Sequence, residues 1–409
     1  MSVPVTPGEL GYEPGSPAFI ADPYPVFARL RADHPVIHDP TTDQWLVSRF
    51  ADVGALLRDR RLGRSYVHVA THEEFGRTPP PAWQDPFHDS LRVQLIDMEP
   101  PDHTRLRRLV STAFTPRTVE GLRPRVTELV DDLVASARAR GEFDLLADII
   151  ERLPVAVIAE LLGIPEADRP LLRPWSADMT LMFELARSED DERRAVRATV
   201  EFSDYVRGIV RERRASPRAD LLSELARVSE AGDRLSEDEL IATAILLLNA
   251  GHEASVNGAA NAWLALFRHP DALAALRAGP GLVPTAVEEL LRYDTPAPMF
   301  ERWVLEDIEL HGVTIPRGQE LALLFASANR DGAGFADPDN LVLDRSPNPH
   351  LSFGAGIHYC LGAPLARLEL AILFRAILEQ MPTLELVAEP VWKPRFVLRG
   401  LQALLVRIT

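Results

Sequence analysis

Residues 236–268 have the pattern of one long, uninterrupted helix, which restricts the folds open to this chain. Ser236 and Glu239 form a capping-box pattern at its start, and Pro270 lies just beyond its end. At about 1.5 Å per residue such a helix would be roughly 48 Å long, enough to cross a whole domain. Its run LIATAILLLNA is apolar on every side, so we expect the helix to be central and buried.

The middle of this helix carries three residues that stability alone does not explain, namely Gly251, His252 and Glu253. Glycine in a helix interior costs about 1 kcal/mol relative to alanine. A buried carboxylate costs several kcal/mol unless it has a partner. Because departures from local rules tend to mark functional sites, we expect function at this point of the helix.

The charge and the cysteine content exclude several classes of protein. The 409 residues include 44 lysine and arginine against 60 aspartate and glutamate residues, a formal net charge of −16. Because nucleic-acid phosphates and anionic membranes repel such a chain, we expect neither as a partner. One cysteine excludes a disulfide framework, a multi-cysteine zinc site and a cysteine-ligated iron–sulfur cluster. The N-terminus lacks a signal-peptide pattern and no apolar run could span a membrane, so we expect a cytoplasmic protein.

Helical periodicity dominates after residue 100, and strand-like runs are few. Besides 236–268, helices are expected at about 100–114, 118–140, 154–163, 190–214, 270–278, 283–293 and 361–380. Strands are expected at Trp45–Ser48, Trp303–Ile308, Glu320–Leu324 and Phe396–Ile408, and long loops at 63–92 and 331–349. Since early and late strands can pair only where the ends of the chain meet, residues 1–409 are interpreted as one α-rich domain.

The single cysteine lies in a glycine-rich loop, HLSFGAGIHYCLG, that leads into a predicted helix. The simplest interpretation of a free cysteine is a small buried apolar residue. Here Gly354 and Gly356 allow tight turns that direct backbone N–H groups toward the sulfur of Cys360. Those donors and the N-terminus of the next helix stabilise a thiolate. A thiolate preceded by a flat aromatic residue, Phe353, is suited to axial ligation of haem iron.

The whole pattern Phe-Gly-x-Gly-x-His-x-Cys-x-Gly is complete, formed by Phe353, Gly354, Gly356, His358, Cys360 and Gly362. It resembles the haem-binding loop of the cytochrome P-450 monooxygenases. The resemblance implies that Cys360 is the axial ligand of the iron of haem b and that His358 binds a haem propionate. His350, just before the pattern, is a further candidate neighbour of the haem.

Two other segments resemble the propionate-binding residues of that family. His103 and Arg107 lie four residues apart, on one face of a predicted helix, and Arg302 lies on a predicted strand. The resemblance implies that all three bind haem propionates, for which the forked guanidinium of arginine is well suited. Without the family, His103 and Arg107 are equally well interpreted as part of a solvated basic face.

Glu289 and Arg292 resemble the Glu-x-x-Arg motif of the family, and Arg345 matches the arginine that locks this pair. The resemblance implies a structural role, holding the core on the haem side together. Taken alone, the pair would be interpreted as an exposed ion pair worth a few tenths of a kcal/mol.

The resemblance extends over nearly the whole chain and implies a fold that is mainly α with a smaller β-rich lobe. In that fold, residues 63–92 form the loop that roofs the substrate, 175–214 contain the mobile lid helices, and 236–268 form the central helix. Residues 350–362 form the haem-binding cysteine loop. We expect a monomer that receives electrons from a ferredoxin and its reductase.

The central helix departs from the family, which carries Ala-Gly-x-Asp/Glu-Thr at this point. Glu253 matches the acidic residue of the proton-delivery pair, and Gly251 is expected to let dioxygen and substrate approach. Ala254, however, stands where the family has threonine. Ser255 is rotated by about 100° from that position and cannot simply replace it, whereas Asn257 lies on nearly the same face.

This departure does not affect the predicted haem binding, but it leaves undecided which group delivers protons to dioxygen. The sequence allows three interpretations. A hydroxyl of the substrate replaces the threonine hydroxyl, ordered water does so together with Asn257 or Ser255, or the reaction is not plain hydroxylation. His252 is interpreted either as a relay residue or as a solvent-facing neighbour.

The sequence therefore predicts a haem-thiolate monooxygenase that inserts one atom of dioxygen into an apolar small molecule. The alternatives are a haem-thiolate catalyst of oxidative coupling or a peroxide-driven hydroxylase, both favoured by Ala254. A non-catalytic haem-thiolate binding or sensing protein is a third interpretation, but it leaves Glu253 and the buried glycine without a purpose.

Overall fold

The computed structural model describes residues 5–227, 229–230 and 233–409. The α-helices are α1 (Pro17–Ala21), α2 (Tyr24–Asp33), α3 (Phe50–Leu56), α4 (Asp85–Arg92), α5 (Asp102–Ala113), α6 (Pro116–Gly121), α7 (Arg123–Arg138), α8 (Arg152–Leu162), α9 (Leu172–Met179), α10 (Glu189–Ala215), α11 (Leu221–Arg227), α12 (Glu237–Arg268), α13 (Pro270–Ala278), α14 (Val283–Tyr293), α15 (Phe325–Ala328) and α16 (Ala363–Gln380). The strands are β1 (Val36–Asp39), β2 (Gln44–Val47), β3 (Leu62–Gly63), β4 (Glu142–Asp144), β5 (Ser229–Glu230), β6 (Asp233–Arg234), β7 (Phe300–Val304), β8 (Ile308–Leu310), β9 (Val313–Ile315), β10 (Glu320–Leu323), β11 (Leu384–Leu386) and β12 (Leu405–Ile408). The fold is mainly α with a smaller β-rich part, as predicted.

Helix α12 is the centre of the helical part. Its capping box is formed in both directions, since Ser236 Oγ accepts from Glu239 N at 3.1 Å and the Glu239 carboxylate accepts from Ser236 N at 2.8 Å. The helix packs against α8, α9, α10 and α14. Its side chains from Leu240 to Ile245 are buried in the largest apolar cluster of the described residues, as the all-round apolar pattern predicts.

The main sheet has five strands in the order β1-β2-β10-β7-β3. Strands β1 and β2 form an antiparallel hairpin, β10 adds parallel to β2, and β7 adds antiparallel to β10. In this register Leu321 of β10 lies opposite Arg302 of β7. The sheet therefore fixes where the predicted propionate ligand on β7 enters the interior.

The two ends of the chain meet, but not through the strand pairing that the sequence suggested. Of the tail predicted as strand, the structure has β12 and a single bridge at Leu401, and β12 pairs with β4 and β11. The contact between the ends is made by side chains instead. Phe396 packs on Phe19 at 5.2 Å between ring centroids, and the guanidinium of Arg399 donates to the carbonyls of Ile20 and Ala21.

Several predicted boundaries differ from the structure for local reasons. The expected helix at 118–140 is divided into α6 and α7 where Pro124 opens the second helix. The roofing segment 63–92, expected to be a loop, ends in α4, and Phe87 of that helix is buried against the lid region. Within the part of the chain that the structure describes, no helix has the length and apolarity to cross a membrane.

Candidate active site

The cysteine loop directs several hydrogen-bond donors at one sulfur atom. Cys360 lies three residues before the start of α16, and its backbone N–H donates to the carbonyl of Phe353 at 3.0 Å. Burial raises the pKa of the Cys360 thiol, while hydrogen bonds from the backbone amides of Gly362 and Ala363 and the charge of Arg107 act to lower it. The expected convergence of donors on the sulfur is present, so the thiolate is supported from the side of the helix N-terminus.

Two glycines give the loop its shape. Gly354 has φ 67° and Gly356 has φ 72°, in the left-handed region that other residues avoid. A side chain at Gly356 would also place its Cβ 2.3 Å from the carbonyl oxygen of Leu57. The loop therefore rests directly on the end of α3, and the sulfur cannot shift without moving that contact.

Two buried histidines lie beside this loop with their polar atoms unpaired. The rings of His103 on α5 and His358 in the loop are 4.5 Å apart between centroids. All four ring nitrogens are buried without a hydrogen-bond partner, although Oε1 of Glu99 lies 3.6 Å from Nε2 of His358. Burial lowers the pKa of His103 to about 4 and lowers that of His358 as well, against the opposing effect of Glu99. Buried polar groups normally have hydrogen-bond partners, and an anionic or polar group between α5 and the loop would supply those that His103 lacks.

Two arginines close to these histidines, Arg302 and Arg107, also form no ion pair with a carboxylate within the described residues. Arg302 is 4% exposed, yet the hydrogen bond that it donates goes to the carbonyl of the preceding residue, Glu301, at 2.8 Å. Burial lowers its pKa to about 9. Arg107 donates to the carbonyl of Tyr359 at 2.7 Å, one residue before the cysteine. Residues from α5, β7 and the cysteine loop thus form a cationic cluster that fits the two carboxylates of a haem.

The residues of the predicted structural motif are brought together as expected. Arg292 donates to both oxygens of Glu289, at 2.7 and 2.8 Å, and both side chains are fully buried. Arg345 donates to the same carboxylate at 2.9 Å, from 56 residues further along the chain. Val342 N at 2.9 Å and Nδ2 of Asn348 at 3.2 Å also donate to it, so the buried carboxylate has donors at both oxygens. The interpretation as an exposed pair is therefore wrong.

His350, predicted as a candidate neighbour of the haem, is held by protein partners at both ring nitrogens. Its Nε2 lies 3.0 Å from Glu288, and its Nδ1 accepts from the backbone N–H of Ser352 at 3.3 Å. Glu288 is also held by Arg367 of α16, whose guanidinium stacks 4.5 Å above the ring of Phe353. Both ring nitrogens of His350 are thus used to tie α14 to the cysteine loop.

The structure also changes the interpretation of two residues on α12. A Cβ on Gly251 would lie 2.7 Å from Cδ1 of Ile158, so the missing side chain lets α8 approach, rather than giving room to dioxygen and substrate. Asn257 donates to the carbonyl of Leu398 at 3.2 Å and is packed against Gly400. Asn257 therefore anchors the C-terminal segment to the helix instead of extending the face of Ala254.

Glu253 and His252 are both buried at the expected point of the helix. The Glu253 carboxylate lies 3.7 Å from Nζ of Lys393, a residue of the C-terminal segment. His252 is 2% exposed and its Nδ1 lies 3.1 Å from Oγ of Ser176, while its Nε2 has no hydrogen-bond partner. The solvent-facing interpretation of His252 is therefore wrong.

Comparison with known proteins agrees with this arrangement. Residues 171–279 and 281–388 match the family model described as Cytochrome P450. The chain belongs to the cytochrome P450 family. It is 42% identical over 399 residues to the cytochrome P450 monooxygenase PikC of Streptomyces venezuelae, covering 95% of this chain and 92% of that protein. The vitamin D(3) 25-hydroxylase of Pseudonocardia autotrophica is 40% identical over 395 residues, covering 94% of each chain.

Solved structures of cytochromes P450 have the same fold. The polyketide synthase cytochrome P450 PksS of Bacillus subtilis 168 has a TM-score of 0.89 and 36% identity, covering 97% of this chain and 100% of that chain. P450BioI, solved with a fatty-acid-loaded acyl carrier protein, also has a TM-score of 0.89 and 36% identity, covering 96% of this chain and 99% of that chain. The protein is therefore a cytochrome P450 monooxygenase, an oxidoreductase of the haem-thiolate type.

Sequence reasoning missed three residues that the structure ties to the site. Glu288 and Arg367 were missed because each looks like an ordinary surface charge until α14 and α16 are placed together. Lys393 was missed although a signal was present. It is the one lysine among the 44 basic side chains of the chain, the rest being arginines.

Proposed function

We propose that this cytochrome P450 uses haem b to insert one atom of dioxygen into an apolar small molecule, with electrons from a ferredoxin and its reductase. The proposal rests on one observation: a cysteine sulfur that could bind the iron and side chains that could bind the haem propionates lie close together. The amide-supported sulfur of Cys360 lies next to Arg107, and His103, His358 and Arg302 lie beside them with polar atoms short of partners.

Each group of residues has a defined task in this proposal. Cys360 holds the iron, and the histidines and arginines of the cationic cluster neutralise the propionates. When bound, the haem supplies the electron-transfer and dioxygen chemistry that no protein side chain provides. Glu253 is the acidic side chain of α12 next to Ala254, and its task in this proposal is to pass protons toward the haem side of the helix. Burial of these groups excludes bulk water from the reaction.

The substrate site proposed here lies between α4, the 3-10 turn Thr180–Phe183 and the central helix. A small cavity of about 10 Å³ lies among Phe87, Leu91, Met179, Phe183 and Ile245, with polar residues also in its wall. That volume holds about one water molecule, so admitting a substrate requires the walls to separate. Residues 63–92 and 175–214 supply two of these walls, which supports their assignment as roofing loop and lid.

The lining combines five apolar residues with the polar Ser90, Gln94, Thr199 and Asn249, which favours a lipophilic substrate that also carries polar groups. The relatives point the same way, because their names include a vitamin D(3) hydroxylase, a polyketide biosynthesis enzyme and a mycinamicin hydroxylase/epoxidase. We therefore place this chain in secondary metabolism, acting on a polyketide-like or sterol-like skeleton. It is expected to act as a cytoplasmic monomer.

The test of the proposal is spectroscopic. The reduced protein with carbon monoxide should show the red-shifted Soret band that thiolate ligation produces, and Cys360→Ser should abolish it. Product formation should then require dioxygen, ferredoxin and reductase together. A wild-type spectrum typical of histidine-ligated haem would overturn the assignment.

A peroxide-driven reaction or an oxidative coupling is favoured by one observation, the alanine at position 254. The same assay separates them from the main proposal. Incubation with hydrogen peroxide alone would give full turnover for a peroxide-driven enzyme. Coupling would give a product that is oxidised without a new oxygen atom.

A further inference from the structure

We propose that Asn249 is a specificity-determining residue, whose side-chain amide binds a hydroxyl group of the substrate between the roofing segment and the lid. This inference rests on the proposed function and adds to it the chemistry of the substrate, an apolar skeleton that carries a hydroxyl at this point. Three features carry it: the unused hydrogen-bonding capacity of the amide, the size of the space beside it, and its position on the central helix.

The amide of Asn249 is incompletely bonded within the protein. Its Oδ1 is buried without a hydrogen-bond partner, and its Nδ2 donates to Sδ of Met179 at 3.5 Å. A thioether sulfur is a weak acceptor, and a buried amide oxygen without a partner destabilises the fold. A leucine would pack at this position without that cost, so the amide is better explained by a partner that enters from outside the chain.

Two other asparagines of α12 show what a structural amide does on this helix. Nδ2 of Asn257 donates to the carbonyl of Leu398 at 3.2 Å, and Nδ2 of Asn261 donates to the carbonyl of Arg399 at 3.1 Å. Their Oδ1 atoms are also unpaired, but each side chain anchors the C-terminal segment. The amide of Asn249 makes no bond to the backbone within the described residues. It is therefore not needed to hold a segment of the fold in place.

The space beside Asn249 is the cavity of about 10 Å³, which is large enough for one hydroxyl-sized group. The other polar side chains of its wall are bonded to the protein. Nε2 of Gln94 donates to Oγ of Ser90 at 3.2 Å, and Oγ1 of Thr199 donates to the carbonyl of Ala195 at 2.8 Å. Asn249 is thus the polar residue of this wall that lacks a strong hydrogen bond.

A hydroxyl suits this site better than other polar groups. It donates its proton to Oδ1 of Asn249, and its small volume matches the cavity. A carboxylate or a ketone has acceptors alone and would face the unpaired oxygen without a proton to share. An ammonium group would lack an anionic partner, because every residue of this wall is uncharged.

The position of Asn249 on α12 separates this hydroxyl from the reacting end of the substrate. Asn249 precedes Ala254 by five residues, which corresponds to about 7.5 Å along the helix axis and a rotation of roughly 140°. Its amide lies against Met179 of α9, within the lid segment. The hydroxyl at Asn249 is therefore distinct from a substrate group that takes part in the reaction near Ala254.

The first test compares two steroids that differ by one hydroxyl, androstanol and its parent hydrocarbon androstane. Equilibrium dialysis of the holoprotein measures both dissociation constants without relying on the haem spectrum. In Asn249→Leu, an apolar side chain of similar shape, the ratio of the androstanol constant to the androstane constant should rise about fivefold or more. Asn249→Ala, which cannot overfill the site, should show the same change. An unchanged ratio in both variants would overturn the proposal.

The second test needs no ligand. Because the incompletely bonded amide destabilises the ligand-free protein, Asn249→Leu should raise the midpoint of thermal unfolding by about 1 °C or more. Asn261→Leu is the matched control on the same helix, and it should lower the midpoint because it removes an anchor of the C-terminal segment. If Asn249→Leu lowers the midpoint as far as Asn261→Leu does, the amide is structural and the proposal is overturned.

The two tests together separate this proposal from its rivals. A raised midpoint with an unchanged binding ratio would assign the amide to bound water alone and overturn the proposal. If neither steroid binds to the wild type, the thermal shifts decide, and opposite signs for Asn249→Leu and Asn261→Leu support the proposal. If the holoprotein lacks the thiolate spectrum or gives no product, the proposed function fails, while dialysis and unfolding still report on Asn249.

Discussion

Ala254 removes a hydroxyl from α12 next to Glu253, at the one position where the family's proton-delivery pair is broken in this sequence. The structure shows how the residues near Ala254 that could replace this hydroxyl are placed. Nδ2 of Asn257 donates to the carbonyl of Leu398, which anchors the side chain at the C-terminal segment, while its Oδ1 is buried against Gly400 without a hydrogen-bond partner. A polar group of the substrate is then the most direct link between Glu253 and dioxygen.

We accordingly predict substrate-assisted proton delivery. With the native substrate, the yield of product per NAD(P)H should be high, because a hydroxyl or carbonyl of the substrate holds the water that donates protons. With an analogue lacking that group, the yield should fall and the missing electrons should appear as hydrogen peroxide. Both products are measured in the reconstituted system.

The matched variant is Ala254→Thr, which restores the hydroxyl on the protein. It should partly restore the yield with the deoxy analogue and help the native substrate little. Equal yields from the two substrates with the wild-type protein would reject substrate assistance and assign the task to Ser255 or to bound water.

For individual residues, interactions between neighbours in the chain were predicted from the sequence, whereas interactions with residues far along the chain were not. The order of residues around Cys360 was sufficient to predict the cysteine loop, because its glycines and its hydrogen-bond donors are neighbours in the chain. The contact of His350 with Glu288 could not be inferred, because the two residues are 62 positions apart in the chain. Lys393 shows that composition can point to a residue even where its partner, here 140 residues earlier, cannot be inferred from spacing.

Among the elements, α14 shows how a helix is fixed by a single buried carboxylate. Glu289 accepts from Arg292, Arg345 and the backbone of Val342, so it joins α14 to the segment before the cysteine loop. Arg292 in turn donates to the carbonyls of Asn329 and Pro338 at 2.7 and 2.8 Å. The pair therefore fixes several points of the segment from Asn329 to Arg345, which leads into the cysteine loop.

We predict that Glu289→Ala and Arg292→Ala each give little soluble holoprotein. Removing one partner leaves the other charge buried, at a cost of about 3–5 kcal/mol, against a total stability of roughly 5–15 kcal/mol. Yield of soluble protein and haem content per chain are the measurements. Glu120→Ala is the control, because Glu120 and Arg123 have the same spacing but are exposed, and its effect should be small. Normal yield and haem content in both buried-pair variants would contradict the prediction.

Elements with a strong local signal were predicted well, and those that depend on tertiary pairing were not. The capping box and apolar run of α12 placed its start within one residue and its end at Arg268. The tail Phe396–Ile408 was predicted as strand, but only Leu405–Ile408 finds a partner of strand length, in β4 and β11. Because a strand exists only where a neighbour supplies hydrogen bonds, its ends cannot be inferred from its own sequence.

The whole molecule is strongly acidic, with a formal net charge of −16, but arginines and histidines are grouped at the proposed haem site. Some ring nitrogens of these histidines are buried without hydrogen-bond partners. His103 and His252 are each 2% exposed, and burial lowers the pKa of both to about 4. In the unfolded chain a histidine has its ordinary pKa near 6.5. Between these two values the unfolded state binds more protons than the folded state, so the stability that these residues contribute is present above about pH 6.5 and is lost as the pH falls.

The haem should change this pH dependence for His103 and its neighbour His358, and not for His252. A propionate gives the first two a carboxylate partner, whereas His252 lies on α12 against Ser176 and gains none. From pH 7.5 to 5.5, His103 in the apoprotein and His252 in both forms should each remove about 1 kcal/mol from the free energy of unfolding. Apoprotein should therefore lose at least about 1 kcal/mol more than holoprotein over this range.

Denaturant titrations of apoprotein and holoprotein at the two pH values measure both losses. His252→Gln should reduce the acid loss by about 1 kcal/mol in each form, since its contribution does not depend on the haem. His34→Gln, at a half-exposed position, is the control and should leave both losses unchanged. Equal acid losses in apoprotein and holoprotein would show that His103 gains no partner from the haem, and that the cationic cluster is not its propionate site.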